Sequence, residues 1–244
     1  KKHREFFDSL KEKLKKAGYV LHERLINAIE YGAPQDRERV ILIGVLKTSA
    51  KRYAGNTMPW QAHLLYPDKS AFAYDWPSQS TFNPDIARRN PNTLPLELTV
   101  EHWFRKNQVE KHPNGKHMFT PRAGLARFES VEEGDVSRKS YKRLHRWRYS
   151  PTACYGNNEV HLHPYKARRI SVAEALAIQS LPKDFELPAT MTLSSMFKTV
   201  GNGVPYLAAL GIANTVKEYL LGKPETYSIG FSKGNLAIAP QPCV

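Results

Sequence analysis

Three short strings hold the residues best suited to chemistry. Gln35, Arg37 and Arg39 alternate along Pro34-Gln35-Asp36-Arg37-Glu38-Arg39. Alternate residues of an extended segment point the same way, so this spacing presents two guanidinium groups on one side. A guanidinium is a planar fork of donors suited to a phosphate or a base carbonyl. A solvated arginine pair flanking Asp36 and Glu38 would have the same spacing, since surface ion pairs are common. The second string is Gly201-Asn202-Gly203, where Asn202 and Gly203 let the backbone approach a ligand and leave helix N–H groups facing it. A glycine-rich helix start with no ligand is the competing reading. The third is the basic-aromatic stretch from Arg138 to Tyr149. Its Arg138, Lys139, Lys142, Arg143, Arg146 and Arg148 can neutralise phosphates, while Tyr141, Trp147 and Tyr149 offer stacking or packing surfaces. A charge run is otherwise a solvated face. Arg122 and Arg127, near Gly124, form a weaker second patch.

His161 and His163, with Cys154 nearby, lack the four-ligand cluster of a structural zinc site, so no metal is expected. Cys154 falls in a strand-like piece, Thr152 to Tyr155, and is expected to be a small packed residue.

The composition narrows the classes. Lys and Arg number 36 against 23 Asp and Glu, a formal net charge of +13, which favours a polyanionic partner over a basic protein with no nucleic-acid role. Two cysteines exclude a disulfide framework and fit a reducing cytoplasm. No apolar run is long enough for a membrane span, and the basic start precedes no signal-peptide core.

The elements that must position these strings form an interrupted α/β pattern. Phe6, Phe7, Leu10, Leu14 and Ala17 share one face of a helix that Gly18 can end. Tyr19 to Asn27 alternates as a strand, a turn follows around Tyr31 to Pro34, and Val40 to Leu46 is an apolar run expected of a strand covered on both faces. From about Ala50 to Tyr165, Pro, Asn and aromatic residues are scattered among short β-prone pieces. Ser171 to Glu174 is a capping box for a helix that runs until Pro182. Another helix starts near Pro205, with Leu207, Ala208, Ile212, Thr215, Val216 and Tyr219 on its apolar face, and ends at Gly222 and Pro224.

Together, several of these strings resemble the DNA (cytosine-5) methyltransferases. NAIEYGAPQDRERVILIG, Asn27 to Gly44, is similar to the family's N-A-x-x-Y-G-x-P-Q-x-R-x-R block before a buried strand. RRISVAEALAIQSLPKDF, Arg168 to Phe185, resembles its R-x-L-T-x-x-E-x-x-x-L-Q-x-F-P segment, with Ile170, Ser171 and Leu181 as mild departures. Val200 to Pro205 resembles the G-N-x-V-P entry to the last helix, and Ser150-Pro151-Thr152 the P-S-P-T stretch closing the recognition domain. The resemblance implies that Arg39 reaches a flipped cytosine, while Arg37 and Gln35 hold the loop or backbone. It further implies that Asn202 and Gly203 touch S-adenosylmethionine, and that the variable middle reads double-stranded DNA.

The family's P-C-Q nucleophile, E-N-V glutamate and F-x-G-x-G cofactor loop are not among these 244 residues. Pro242-Cys243 is rejected as nucleophile, because Val244 follows it and no buried strand precedes it. With Lys1 where a Met would start, the expectation is a chain that begins just past the catalytic residues. Their N-terminal half, on the same full-length protein or a partner subunit, would complete the S-adenosylmethionine site. The isolated chain is expected to be inactive.

The expected architecture is a partial Rossmann-like α/β sheet domain with an inserted small irregular, mainly β, target recognition domain. Residues 1–50 carry strands and helix of the catalytic domain, 51–165 the recognition domain, 166–222 the returning helices and 223–244 a loose tail. A half-sheet exposes an edge and an apolar face, so self-association is expected. Localisation is expected in the bacterial cytoplasm or nucleoid, with no membrane. A stand-alone DNA-binding module and a fragment of an RNA cytosine methyltransferase are the alternatives.

Overall fold

A computed structural model describes residues 2–50, 57–85, 91–121, 125–153, 155 and 159–222. Helix α1 (Lys2–Lys16) precedes an antiparallel hairpin of β1 (Tyr19–Asn27) and β2 (Glu38–Leu46), in register from Tyr19 opposite Leu46 to Asn27 opposite Glu38. Gly18, at φ 90°, makes the corner between α1 and β1 as expected.

The period of two sorts the hairpin into two faces. Val20, Ile26, Ile41, Ile43 and Val45 turn inward and pack on the final helix, through Ala208, Ile212 and Tyr219. Leu25, Val40 and Leu46 turn outward and are exposed. The expectation that both faces of β2 are covered is therefore corrected for the described residues. The inner face packs on α7, while on the outer side Lys11 of α1 reaches Glu23, and Leu25, Val40 and Leu46 stay exposed.

After β2, a short helix α2 (Lys47–Ala50) leads into a long stretch in which only α3 (Val100–Lys106) and α4 (Leu125–Glu129) are α-helical. Its β pairing is confined, among the described residues, to isolated bridges such as Ser80 with Glu133 and Arg143 with Leu162. The mainly β expectation for this region is thus corrected. Frequent Pro and turn residues interrupt the ladders, and side chains hold the loops instead. Thr152, Ala153 and Tyr155 form no strand, and Cys154 lies outside the described residues.

Helices α5 (Val172–Ile178), α6 (Leu193–Asn202) and α7 (Tyr206–Leu220) follow. The capping box on α5 forms as expected, Ser171 Oγ accepting from Glu174 N and Glu174 Oε2 accepting from Ser171 N. Sequence reading missed α6, although Thr192 caps it and Met196, Phe197 and Val200 bury at helical spacing. On α7, a Cβ at Gly211 would stand 2.3 Å from the Tyr31 ring, so glycine is what lets this helix press on the turn after β1. The largest core joins Trp103, Phe104 and Leu144 to Ile170, Ile178, Met196 and Phe197. It therefore runs straight across the seam expected near residue 165. The expected tail, 223–244, lies outside the described residues, Pro224 with it. Among the described residues no helix is long and apolar enough to cross a membrane.

Candidate functional site

The loop between the two strands is built around Asn27. Its Oδ1 accepts from Ile29 N at 3.3 Å and from Arg37 N at 2.9 Å, and its Nδ2 donates to Asp36 Oδ1 at 2.7 Å. Glu30 returns a bond to Asn27 N at 3.1 Å, closing a capping box on the 3-10 turn Ala28–Tyr31. One small amide thus fixes both ends of the loop.

Arg37 is fully buried, which is costly for a guanidinium unless carbonyls surround it. Its Nη1 donates to Ala153 O at 2.9 Å, and its Nη2 to Gly201 O at 2.5 Å and Gly203 O at 3.0 Å. Three separate stretches are therefore tied together by one side chain. Gly201 is part of the fit, because a Cβ there would lie 3.1 Å from Tyr155 N. The backbone completes the seam: Asp36 N donates to Ser150 O, Ser150 N to Pro34 O, and Thr152 Oγ1 to Asp36 O. Gln35 is buried beside it, bridged to Ser150, and neither atom of its side-chain amide has a partner among the described residues.

Arg37 and Arg39 do not act as a pair. Arg39 lies opposite Ile26 at the loop end of β2, part exposed, and among the described residues its side chain makes one polar contact, with the carbonyl of Glu38 at 2.6 Å. Its fork is otherwise unengaged.

The expected cofactor turn is displaced in role. Asn202 is the last residue of α6 rather than the entry to α7, and it is exposed. Gly203 N caps α6 on Thr199 O and Val200 O. The first N–H groups of α7 are occupied, Tyr206 N by Gln179 O at 2.8 Å and Leu207 N by Ser180 Oγ at 3.1 Å. The idea that free helix N–H groups face a ligand here is therefore corrected. What this edge offers a cofactor is the Asn202 amide, unpartnered among the described residues, beside exposed Val204.

The basic residues expected to meet DNA divide sharply. Arg143 is fully buried and donates to the carbonyls of Val131, His163, Lys166 and Phe128, and burial lowers its pKa to about 10. Arg146 is buried in a two-pronged pair with Glu133, at 2.8 and 2.9 Å. Both are corrected from phosphate contacts to braces inside the fold. Arg127, Arg138 and Lys139 are exposed, and Lys142 and Arg148 are half-buried. Arg127 lies over the Tyr141 ring and Arg148 over the Tyr149 ring. Arg122 lies outside the described residues.

His161 and His163 are held neutral. Burial, helped by Lys142 and Arg169, pushes His161 down to about 3. Burial also takes His163 well below its ordinary value, with Arg168 the next cause. The Nδ1 of His163 accepts from Tyr165 N and Lys166 N, a loop-bracing role.

Comparisons with known proteins follow the same geometry. The family model for C-5 cytosine-specific DNA methylase matches residues 1–218. The type II methyltransferase M.NmeDI of Neisseria meningitidis serogroup C is 59% identical over 219 residues, covering 90% of this chain and 51% of the relative. M.XorII of Xanthomonas oryzae pv. oryzae is 27% identical over 97% of this chain and 60% of the relative. A crystal structure described as that of a prophage-encoded DNA modification methyltransferase from E. coli shares the fold at a TM-score of 0.54 and 21% identity. That match covers 84% of this chain and 62% of the other. The described residues share the fold of that methyltransferase structure. The chain belongs to the C-5 cytosine-specific DNA methylase family, and it spans between half and two thirds of the length of these relatives.

Proposed function

We propose that this chain is the DNA-reading, C-terminal portion of a DNA cytosine-5 methyltransferase, and that it works only with an N-terminal half carrying the nucleophilic cysteine. The observation that carries this reading is the division of labour between Arg37 and Arg39. Arg37 spends its donors on three backbone carbonyls of this chain, whereas Arg39, two residues on, leaves its fork open at the loop's edge. An open guanidinium held beside a braced loop suits the carbonyl of a cytosine turned out of the duplex, because a base must leave the stack before chemistry can reach it. Arg37 and Gln35 set the loop, and Asn202 with the Gly203 backbone forms one edge of the S-adenosylmethionine site. That molecule supplies the methyl group. Residues 51–165 act as the target recognition domain, inserted in a partial Rossmann-like frame. Lys139, Lys142, Arg127, Arg138 and Arg148 carry the positive charge that draws the duplex in.

The test is transfer of labelled methyl groups to duplex DNA by the purified chain, alone and mixed with a separately produced N-terminal half bearing P-C-Q and E-N-V. No transfer alone and transfer on mixing is the expected result. Transfer by the chain alone, in proportion to its concentration, would overturn the dependence on a second half. Sequence-selective binding with no transfer on mixing would favour a stand-alone DNA-binding module.

A further inference from the structure

A cleft of about 110 Å³ opens where the Asp36 loop meets the segment from Gly134 to Pro151, with Asp36, His145, Arg148 and Tyr149 in its walls.

Asp36 is held rigidly in that wall. Asn27 engages Oδ1, while the backbone on either side is tied to Ser150 and Thr152. The second carboxylate oxygen has no partner among the described residues. Arg148 lines the same cleft. Among the described residues its side chain makes one polar contact, a 3.4 Å bond to the hydroxyl of Tyr149, on whose ring it also lies. A fixed acceptor and an open donor fork thus face one cleft without neutralising each other. In the major groove, a C·G pair presents that complement side by side: the cytosine N4 amino donor beside the guanine O6 and N7 acceptors.

We infer that Asp36 and Arg148 read one C·G base pair of the DNA site, Asp36 accepting from cytosine N4 and Arg148 donating to guanine O6 and N7. The inference rests on the reading that this chain binds duplex DNA, and it gives Asp36 a role that charge alone would deny it.

The experiment is selection of bound duplexes from a random library by the full chain, by Asp36→Asn and by Arg148→Ala, with circular dichroism confirming each fold. Asp36→Asn is isosteric and keeps an oxygen for Asn27, but it replaces the free acceptor with a donor. The expected result is a wild-type consensus containing the C·G pair. Asp36→Asn should lose about tenfold or more of the discrimination there and shift toward bases that present an acceptor. Arg148→Ala should lose preference at the same pair, and it carries the test if Asp36→Asn does not fold. Folded variants that select the wild-type consensus at every position overturn the inference. A wild-type chain that selects no consensus at all removes the DNA-reading function of the isolated chain, and the inference falls with it.

Discussion

The packed middle of this molecule and its N-terminal hairpin treat apolar residues in opposite ways. Around α5 and α6, Leu144, Ile170, Ile178 and Phe197 are all but sealed from solvent. On the outer side of the hairpin, Leu25 and Val40 are 57% and 52% exposed, and Phe6 on α1 is 72% exposed. The two regions have different neighbours. The middle closes on itself with braces, Arg143 and Arg146 among them, whereas the hairpin packs its inner face on α7 and leaves Leu25 and Val40 exposed on the other. The lesson is that burial of cations marks where this chain completes its own structure. Exposed leucine and valine mark where, on the proposed function, another half completes it.

The strongest way to break that comparison is to remove a brace. Arg143→Ala leaves several buried carbonyls without a donor, and each buried group left unpaired costs about 1–3 kcal/mol. A loss of about 3–5 kcal/mol is expected, as for one partner of a buried charged network. Urea unfolding would show it as a lower midpoint, and an unchanged midpoint would mean the brace is ornamental. Arg37→Lys is expected to cost less, about 2 kcal/mol, because an ammonium has donors but cannot span three carbonyls in fixed geometry. Its distinguishing mark is local: amide exchange should quicken at residues 201–203, while α3 stays protected.

Acid should act on the same packed region. His161 and His163 have folded pKa values below the unfolded value of 6.5, so above that pH neither contributes to any pH dependence. As pH falls below 6.5, the unfolded chain takes up protons that the folded chain refuses. Stability then drops, by up to about 1.4 kcal/mol per pH unit for each histidine. For His161 the loss continues toward its folded value of about 3. For His161 this amounts to about 2 kcal/mol at pH 5, an upper figure if the folded state relaxes. Thermal melts between pH 7 and pH 5 would measure the slope, and His161→Gln should flatten it. A slope that the substitution leaves unchanged would place the acid sensitivity elsewhere.

How much of this was legible beforehand follows from the range of each interaction. The α1 helix, the β1 alternation and the Ser171 capping box depend on neighbours a few residues apart, and each was readable from spacing, though on α1 Phe6 and Leu10 are exposed while Lys11 is half-buried. The roles of Arg143 and Arg146 were not, because their partners include residues such as Phe128 and Glu133, brought near only by the fold. A run of cations looks alike whether it faces phosphate or carbonyls. The same limit hid the division between Arg37 and Arg39, which strand alternation places together and burial separates. Helix α6 left a signal that could have been used: Thr192 as cap, followed by Met196, Phe197 and Val200.

The smallest expected effect on stability sharpens the comparison most. Val40→Lys puts a charge on the outer face of β2, opposite Leu25, where both side chains are more than half exposed. If that face is open in solution, the folded chain loses no packing, and the change should stay within about 0.5 kcal/mol, as for ordinary surface sites. The same lysine beside Leu25 breaks an apolar strip that would otherwise favour chain-to-chain contact. Sedimentation velocity across a concentration series should therefore show less self-association than wild type. In the methyl-transfer mixture, the lysine should also weaken activity by weakening the docking of the N-terminal half, an effect that raising the concentration of that half should restore. A large loss of stability in the isolated chain would show that the outer face is covered from within. The contrast between a closed middle and an open hairpin would then be lost.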